Sequence, residues 1–172
     1  MALNYKIIFL LAINGYLFLT THARPTLLEE VCNKTVNIGF CLNVFGSDPA
    51  TRTASLPDLG QLAIAKATDR AVTTMKKSKT RSFFASDPKI RDALNECVHE
   101  YEAALAALRA APDHLRKGRY ADVYRHASQA AGEAIACQQG FLDRSVRSPL
   151  TRENLQLRDY CNIIEVIADA SH

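Results

Sequence analysis

Residues 86–138 decide the fold, and they read SDPKIRDALNECVHEYEAALAALRAAPDHLRKGRYADVYRHASQAAGEAIACQ. Apolar residues recur at steps of three and four, which is typical of one face of an α-helix. The two apolar faces comprise Ile90, Leu94, Cys97, Val98, Tyr101, Leu105 and Leu108, and then Tyr120, Val123, Ala127, Ala130, Ala134, Cys137 and Phe141. Asp87 is a good N-cap and Pro88 suits the first helical position. The stretch therefore predicts two long helices that fold back on each other at residues 115–118.

Two cysteines support this antiparallel arrangement. Cys97 and Cys137 lie the same number of residues on either side of Lys117. If the chain turns there, both sulfurs come to the same height on the apolar faces, where a disulfide is geometrically reasonable. Closing a loop of about 40 residues stabilises the fold by roughly 4 kcal/mol if the gain arises from unfolded-chain entropy.

The remaining cysteines lie outside this pair of helices. Cys32 and Cys41 flank a break at residues 37–39 of a small helical hairpin predicted over residues 26–45, so a local bridge is the economical pairing. Four cysteines allow three connectivities, and nearest-neighbour pairing is favoured because each pair then straddles its own turn. Cys161 lies on an apolar face, which favours a buried free thiol over intermolecular pairing.

Two further helices complete the predicted fold. The first is capped by Ser55, and the last is capped by Ser148 and starts at Pro149. Pro112 is expected to kink or end the helix before the turn. Short connections make consecutive helices antiparallel, so the predicted fold class is all-α: an up-down-up-down four-helix bundle with an N-terminal helical hairpin and two disulfides.

The first 23 residues have the features of a secretory signal. Lys6 precedes an apolar run that Asn14 and Gly15 interrupt, and small residues precede a cleavage position after Ala23. The run is short and broken for a membrane anchor, and no later segment suits one. We predict a signal peptide over residues 1–23 and a mature, secreted domain over residues 24–172. An extracellular location also favours bridged cysteines.

Composition and motifs exclude several classes of function. The 172 residues are 48% hydrophobic and 23% charged, as in a globular domain, and the net charge of +3 is too small to indicate a nucleic-acid partner. No HExxH, GxSxG, P-loop or GxGxxG motif occurs. His99 and His126 have no helical partner at metal-ligand spacing, and no carboxylate pair is expected in an apolar frame that would shift its pKa. The sequence predicts no enzyme, no metal and no cofactor.

A basic run lies at the end of the predicted helix that Ser55 caps, and it comprises Lys76, Lys77, Lys79 and Arg81. Its simplest interpretation is a solvated helix C-terminus, where the helix dipole favours cations. The alternative is a contact patch for an acidic partner.

Several segments together resemble the plant invertase and pectin methylesterase inhibitors. They are Cys32 and Cys41, residues 87–97 with Tyr101, residues 128–131 and residues 137–141. The start of the last helix, residues 148–154, also resembles secreted pollen-type invertase inhibitors of this family. The resemblance covers nearly the whole mature chain and implies the bundle, its hairpin and the bridges Cys32–Cys41 and Cys97–Cys137. It also implies an inhibitor that binds a cell-wall or vacuolar invertase, or a pectin methylesterase, one to one in the apoplast.

The resemblance implies an inhibitory segment near the turn. Invertase inhibitors of this family carry a Pro-Lys-Phe motif before the fourth cysteine, where this chain has Gly118-Arg119-Tyr120. Pectin methylesterase inhibitors have Tyr at the place of Tyr120 and Val at that of Val123. They usually have Trp and Thr where this chain has His126 and Ala136. The basic and aromatic characters of the segment are retained, and both target enzymes stay open.

We predict that Lys117, Arg119, Tyr120 and Tyr124 contact the target. Arg119 is expected to grip an active-site carboxylate with two hydrogen bonds, and Tyr120 to anchor in a cleft. The alternative is that Arg119 and Tyr120 only start a helix.

Two other interpretations are open from the sequence. Asn33-Lys34-Thr35 is a glycosylation sequon in a chain predicted to be secreted, and crowding by Cys32 is the reason it would stay empty. The alternative function is a secreted carrier of a small apolar ligand, which requires that the Ala-rich stripes open a central cavity.

Overall fold

The structure is a computed structural model, and it describes residues 25–171; the signal peptide predicted for residues 1–23 lies outside them. The described part contains six α-helices and no strand. They are α1 Leu27–Cys32, α2 Ile38–Gly46, α3 Leu56–Phe84, α4 Pro88–Arg116, α5 Tyr120–Asp143 and α6 Thr151–Asp169, with a short 3₁₀ helix at Pro49–Arg52.

The four long helices form a closed ring. Helix α4 packs against α3 and α5, and α6 packs against α5 and α3. The connections at residues 85–87, 117–119 and 144–150 are short, so consecutive helices run antiparallel. The hairpin α1–α2 packs on α6. The predicted all-α bundle with an N-terminal helical hairpin is confirmed. We call the end that carries the α4–α5 connection the turn end, and the end where α3 finishes and α6 begins the far end.

Local sequence sets most of the helix boundaries. Ser55 and Asp58 form a capping box at the start of α3, and the Asp87 carboxylate accepts a hydrogen bond from the Lys89 backbone N–H at 2.8 Å. Pro112 does not end α4, which continues to Arg116, because residues on both sides of the proline are buried in the bundle. One expected boundary was wrong, since helix α6 begins after Pro149, at Thr151.

The late start of α6 has a local cause. The Ser148 hydroxyl accepts a hydrogen bond from the Leu150 backbone N–H at 3.1 Å, which closes a turn before the helix. Leu150 takes the N-cap position without a side-chain cap. Cys161 does lie on the inner face of this helix, whose buried members include Leu150, Asn154, Leu157, Cys161, Ile164 and Ala168.

Alanine forms much of the contact surface between the bundle helices. The fully buried alanines are Ala63, Ala67, Ala71, Ala93, Ala104, Ala111, Ala127, Ala130, Ala134 and Ala168. Such small side chains let helix backbones approach closely. Between the hairpin and the bundle, a gap lined by Leu28, Phe45 and Ile163 leaves no room for a water molecule. The small residues bring the helices together, so this packing gives no support to the ligand-carrier alternative.

Two disulfides fix the antiparallel pairs. Cys32 is bonded to Cys41, and Cys97 to Cys137, with a Cα–Cα distance of 4.6 Å in the second pair. Cys161 is a buried free thiol. Burial raises the pKa of this thiol far above its usual range, so it stays protonated and unreactive in the fold. The two observed bridges, Cys32–Cys41 and Cys97–Cys137, are those of the favoured pairing, in which each bridge spans its own turn.

A buried polar chain connects three of the bundle helices. The Tyr101 hydroxyl donates to the Asn154 side-chain oxygen at 2.8 Å, and the Asn154 amide donates to the Gln138 side-chain oxygen at 3.1 Å. Lys77 pairs with the buried carboxylate of Glu153, linking α3 to α6. Polar groups buried in this way need their partners, so the contacts fix the relative heights of the helices.

Candidate functional site at the α4–α5 turn

The backbone of the turn is a helix-ending motif that depends on glycine. Gly118 has a φ of +65°, in the left-handed region that glycine adopts without steric cost. Its N–H donates to the Leu115 carbonyl at 3.1 Å, and the Arg119 N–H donates to the His114 carbonyl at 2.9 Å. These two bonds define a Schellman motif. They fix the backbone of the turn.

The carboxylate of Asp113 pairs with three basic side chains of the turn. Asp113 accepts hydrogen bonds from Lys117 at 2.7 Å, and from Arg116 and Arg119 at 3.4 Å each. The hydrogen bond from Lys117 is the largest cause that lowers the pKa of Asp113. Asp113 is therefore ionised over the whole physiological range and holds these basic side chains over the tip of the turn.

A second carboxylate lies on the α5 side. Asp122 accepts from Arg125 at 2.6 Å, lies 2.9 Å from His114 Nδ1, and lies 3.9 Å from Arg119 Nε. Its pKa is lowered, chiefly by the Arg125 hydrogen bond. Arg119 thus lies between two carboxylates, while 47% of its side chain is exposed. Exposed ion pairs of this kind are weak, so the guanidinium can change partners at little cost.

Two histidines lie beneath the charged layer. The rings of His114 and His126 have centroids 5.0 Å apart, at an interplanar angle of 57°. His126 Nδ1 is buried and makes no hydrogen bond in the described part of the chain. The pKa of His126 is lowered, first by burial and then by the nearby His114. The arrangement therefore favours a neutral His126 imidazole.

Sequence reasoning missed His114. His114 and Asp122 lie at equal distances along the chain from Gly118. Cys97 and Cys137 are arranged in a similar way about the neighbouring Lys117, so the His114–Asp122 pairing across the turn could have been found from spacing.

The structure brings the four predicted contact residues to one end of the bundle. Lys117 and Arg119 are exposed at the tip. Tyr120 is the first residue of α5 and packs partly against the core, and one turn further along Tyr124 is 46% exposed. Arg119 occupies the N-cap position of α5 but makes no side-chain cap bond. Its side chain therefore does not cap the helix.

One expectation about carboxylates was wrong. The pKa of Glu133 on α5 is raised, first by burial and then by the nearby carboxyl of Glu100 on α4. The two residues lie on different helices, and only the packing of α4 on α5 brings their carboxyls together. They lie along the sides of the helices, away from the turn. Within residues 25–171, no group of three or more His, Cys, Asp or Glu side chains is placed to hold a metal ion.

None of the described helices combines the length and the apolar character that crossing a bilayer requires.

Residues 26–167 match the plant invertase/pectin methylesterase inhibitor family, and the chain belongs to that family. It is 32% identical to a pectinesterase inhibitor of Actinidia deliciosa, over 86% of this chain and 80% of the relative. It is 24% identical to the cell wall / vacuolar inhibitor of fructosidase 2 of Arabidopsis thaliana, over 84% of this chain and 82% of that protein.

Solved structures show the same relationship. The crystal structure of mutant form A of a pectin methylesterase inhibitor from Arabidopsis superposes with a TM-score of 0.74 at 29% identity, covering 84% of this chain and 97% of that one. A further pectin methylesterase inhibitor from Arabidopsis thaliana gives a TM-score of 0.63 at 29% identity, over 83% and 93% of the two chains. The fold and the resemblance noted in the sequence are both confirmed.

Proposed function

We propose that this protein inhibits a plant carbohydrate-active enzyme, an invertase or a pectin methylesterase, by binding it one to one. Family membership carries the proposal, because the family includes both kinds of inhibitor, and relatives named pectinesterase inhibitor and putative invertase inhibitor match most of the chain. The rigid turn supplies a physical means of binding, since it presents a basic and an aromatic side chain side by side.

The turn is the proposed contact segment, with Lys117, Arg119, Tyr120 and Tyr124 as its contact residues. Glycosidases and carboxyl-dependent esterases have carboxylates in their clefts, and an arginine can bind such a group through two parallel hydrogen bonds. Arg119 would exchange its long contact with Asp113 for a carboxylate of the target. A turn that is rigid before binding loses little entropy when it docks, so few contacts are needed for tight inhibition.

The test is inhibition of acid invertase and of pectin methylesterase, measured side by side at acidic pH. Arg119→Ala is expected to weaken inhibition of the true target by about 2–5 kcal/mol if it pairs with a buried carboxylate. Tyr120→Ala is expected to cost at least about 2 kcal/mol if Tyr120 is an anchor. Because Tyr120 also packs on the core, Tyr120→Phe serves as the variant that keeps the packing and removes the hydroxyl.

Arg91→Ala is the matched control. Arg91 is exposed near the start of α4, at the opposite end of the bundle from the turn, so this variant changes charge equally and should inhibit like wild type. If the Arg119→Ala/Tyr120→Ala double variant inhibits as well as wild type, the turn is not the contact segment. If wild type inhibits neither enzyme, the proposed function is wrong.

We also propose that the protein is secreted, with residues 1–23 removed and a glycan on Asn33. Asn33 is exposed at the end of α1, whereas the Thr35 hydroxyl is buried and donates to the Cys32 carbonyl at 2.7 Å. Intact mass spectrometry of protein collected from a plant cell-culture medium should give a chain starting at Arg24, with extra mass that peptide N-glycosidase removes. A chain retaining Met1 would refute secretion by this signal, and an unchanged mass after digestion would show Asn33 to be unmodified.

A further inference from the structure

A cleft at the far end of the bundle is not used by the proposed inhibitory turn. It consists of two adjoining depressions of about 580 and 380 Å³. Both are walled by Arg147 and Pro149, from the connection between α5 and α6. Each volume lies in the range typical of small-ligand sites, and together they form an elongated groove between the end of α3 and the start of α6.

The groove is basic. Its lining includes Lys77, Arg81, Arg147 and Arg152, and the only carboxylate among its described lining residues is Glu153. Glu153 is already paired with Lys77 and lies 3.7 Å from Arg152. In the described part of the chain, no carboxylate oxygen lies within salt-bridge distance of Arg81 or Arg147. These guanidinium groups therefore face the groove with their charge uncompensated.

Two phenylalanines stand at the same end. Phe83 and Phe84 are 82% and 74% exposed, and their rings lie edge to face with centroids 5.0 Å apart. Phe84 also lines the smaller depression. Adjacent solvent-exposed aromatic rings at the rim of a charged groove are typical of surfaces that bind a partner or a ligand.

We propose that this groove binds an acidic polysaccharide, with uronate carboxylates on Arg81 and Arg147 and sugar rings against the phenylalanines. Each uronate residue offers a carboxylate beside an apolar C–H face, which matches guanidinium groups set next to aromatic rings. The choice of a glycan over an acidic peptide rests on the proposed function, since removal of methyl esters from pectin leaves a polyanion where such an inhibitor works. Two members of the basic run, Lys77 and Arg81, line this groove and would form part of the contact.

The groove and the α4–α5 turn lie at opposite ends of the bundle. One molecule can therefore hold a wall polymer at the far end while its turn engages an enzyme. Such anchoring would concentrate the inhibitor on its target's substrate without any change to the inhibitory contacts.

The experiment measures binding of fully de-esterified oligogalacturonate to the mature protein by calorimetry, at about pH 6 where carboxylates are ionised. Its methyl-esterified counterpart, a neutral glucan oligomer and poly-glutamate are the comparison probes. We expect binding of the de-esterified oligomer alone, weakening as salt rises. Arg81→Gln/Arg147→Gln should weaken it about tenfold, the sum of two exposed charge contacts. Phe83→Ser/Phe84→Ser should weaken it without altering the salt dependence.

The control is Arg52→Gln/Arg109→Gln, which removes the same charge from exposed arginines elsewhere and should bind like wild type. Equal losses in both double variants, or equal binding of poly-glutamate, would show unspecific attraction of polyanions and overturn the proposal. Binding unaffected by the groove substitutions would overturn it as well. No enzyme is present in this assay, so its result is separate from inhibition. A protein that inhibits but ignores the oligomer refutes the groove alone, and one that binds it but inhibits neither enzyme refutes the proposed function alone.

Discussion

The conformation of Gly118 gives a prediction that can be worked through to a magnitude. A Cβ added at Gly118 would meet nothing within 4 Å, so Gly118→Ala creates no clash. The cost is backbone strain alone, because its φ of +65° disfavours side chains by roughly 1–2 kcal/mol. Alanine also restricts the unfolded chain, which offsets part of this by about 0.4–1 kcal/mol. We expect Gly118→Ala to lower the free energy of unfolding by about 1 kcal/mol.

Gly132 supplies a matched substitution of opposite sign. It lies exposed within α5, and a Cβ there would also meet nothing within 4 Å. In a helix interior, alanine is favoured over glycine by roughly 0.5–1 kcal/mol, so Gly132→Ala should stabilise the protein by that amount. The same chemical change at two open positions is therefore expected to act in opposite directions, through backbone conformation alone.

The assay is urea denaturation of the mature protein with its disulfides intact, followed by far-ultraviolet circular dichroism. The two variants should have separate midpoints and equal slopes, and thermal midpoints that move by about 2–4 °C for each kcal/mol in a domain of this size. Gly118→Asn should lie between wild type and Gly118→Ala, because asparagine tolerates the left-handed region. A neutral Gly118→Ala, or a destabilised Gly132→Ala, would refute the assignment of these two backbone conformations.

Two further predictions concern the bridges and the partly buried imidazole of His126. Replacing Cys97 and Cys137 by serine should cost more stability than replacing Cys32 and Cys41, by roughly 1 kcal/mol, because the closed loops span 40 and 9 residues; equal urea midpoints for the two double variants would contradict this. Burial is the largest cause that lowers the pKa of His126 from 6.5, so stability should be complete above that value and decline as pH falls towards the folded pKa. His126→Gln should remove this part of the decline, and an unchanged pH profile would show that His126 is not its source.

Much of the fold could be predicted because it depends on patterns that are local in the chain. The three- and four-residue spacing around Cys97 identifies a buried helix face without knowledge of what covers it. Asp87 and Ser55 cap their helices through hydrogen bonds to residues two or three positions away. The Cys97–Cys137 disulfide could be predicted because the two cysteines lie at equal distances from the turn. Straight antiparallel helices bring such positions to the same height.

Pro112 and Ser148 both show competition between local and tertiary effects. The ring of Pro112 removes a backbone hydrogen bond, but burial of Ala111 and Leu115 on either side keeps α4 intact. At Ser148 the hydroxyl was correctly expected to accept a backbone hydrogen bond, yet it closes a turn instead of capping α6. Helix propensity alone does not decide such cases, because packing energies are larger.

Sequence by itself determined the helices and their antiparallel order, since both follow from spacing along the chain. It also favoured the cysteine pairing, and several of its segments resembled the family to which the chain belongs. Only the tertiary structure decided which side chains meet. It placed Arg119 between Asp113 and Asp122, brought Glu133 to Glu100 across two helices, and assembled a basic groove from α3, α6 and the connection before α6. The physical reason is that charge and hydrogen-bond effects act over a few ångströms in space, whatever the separation of the residues in sequence.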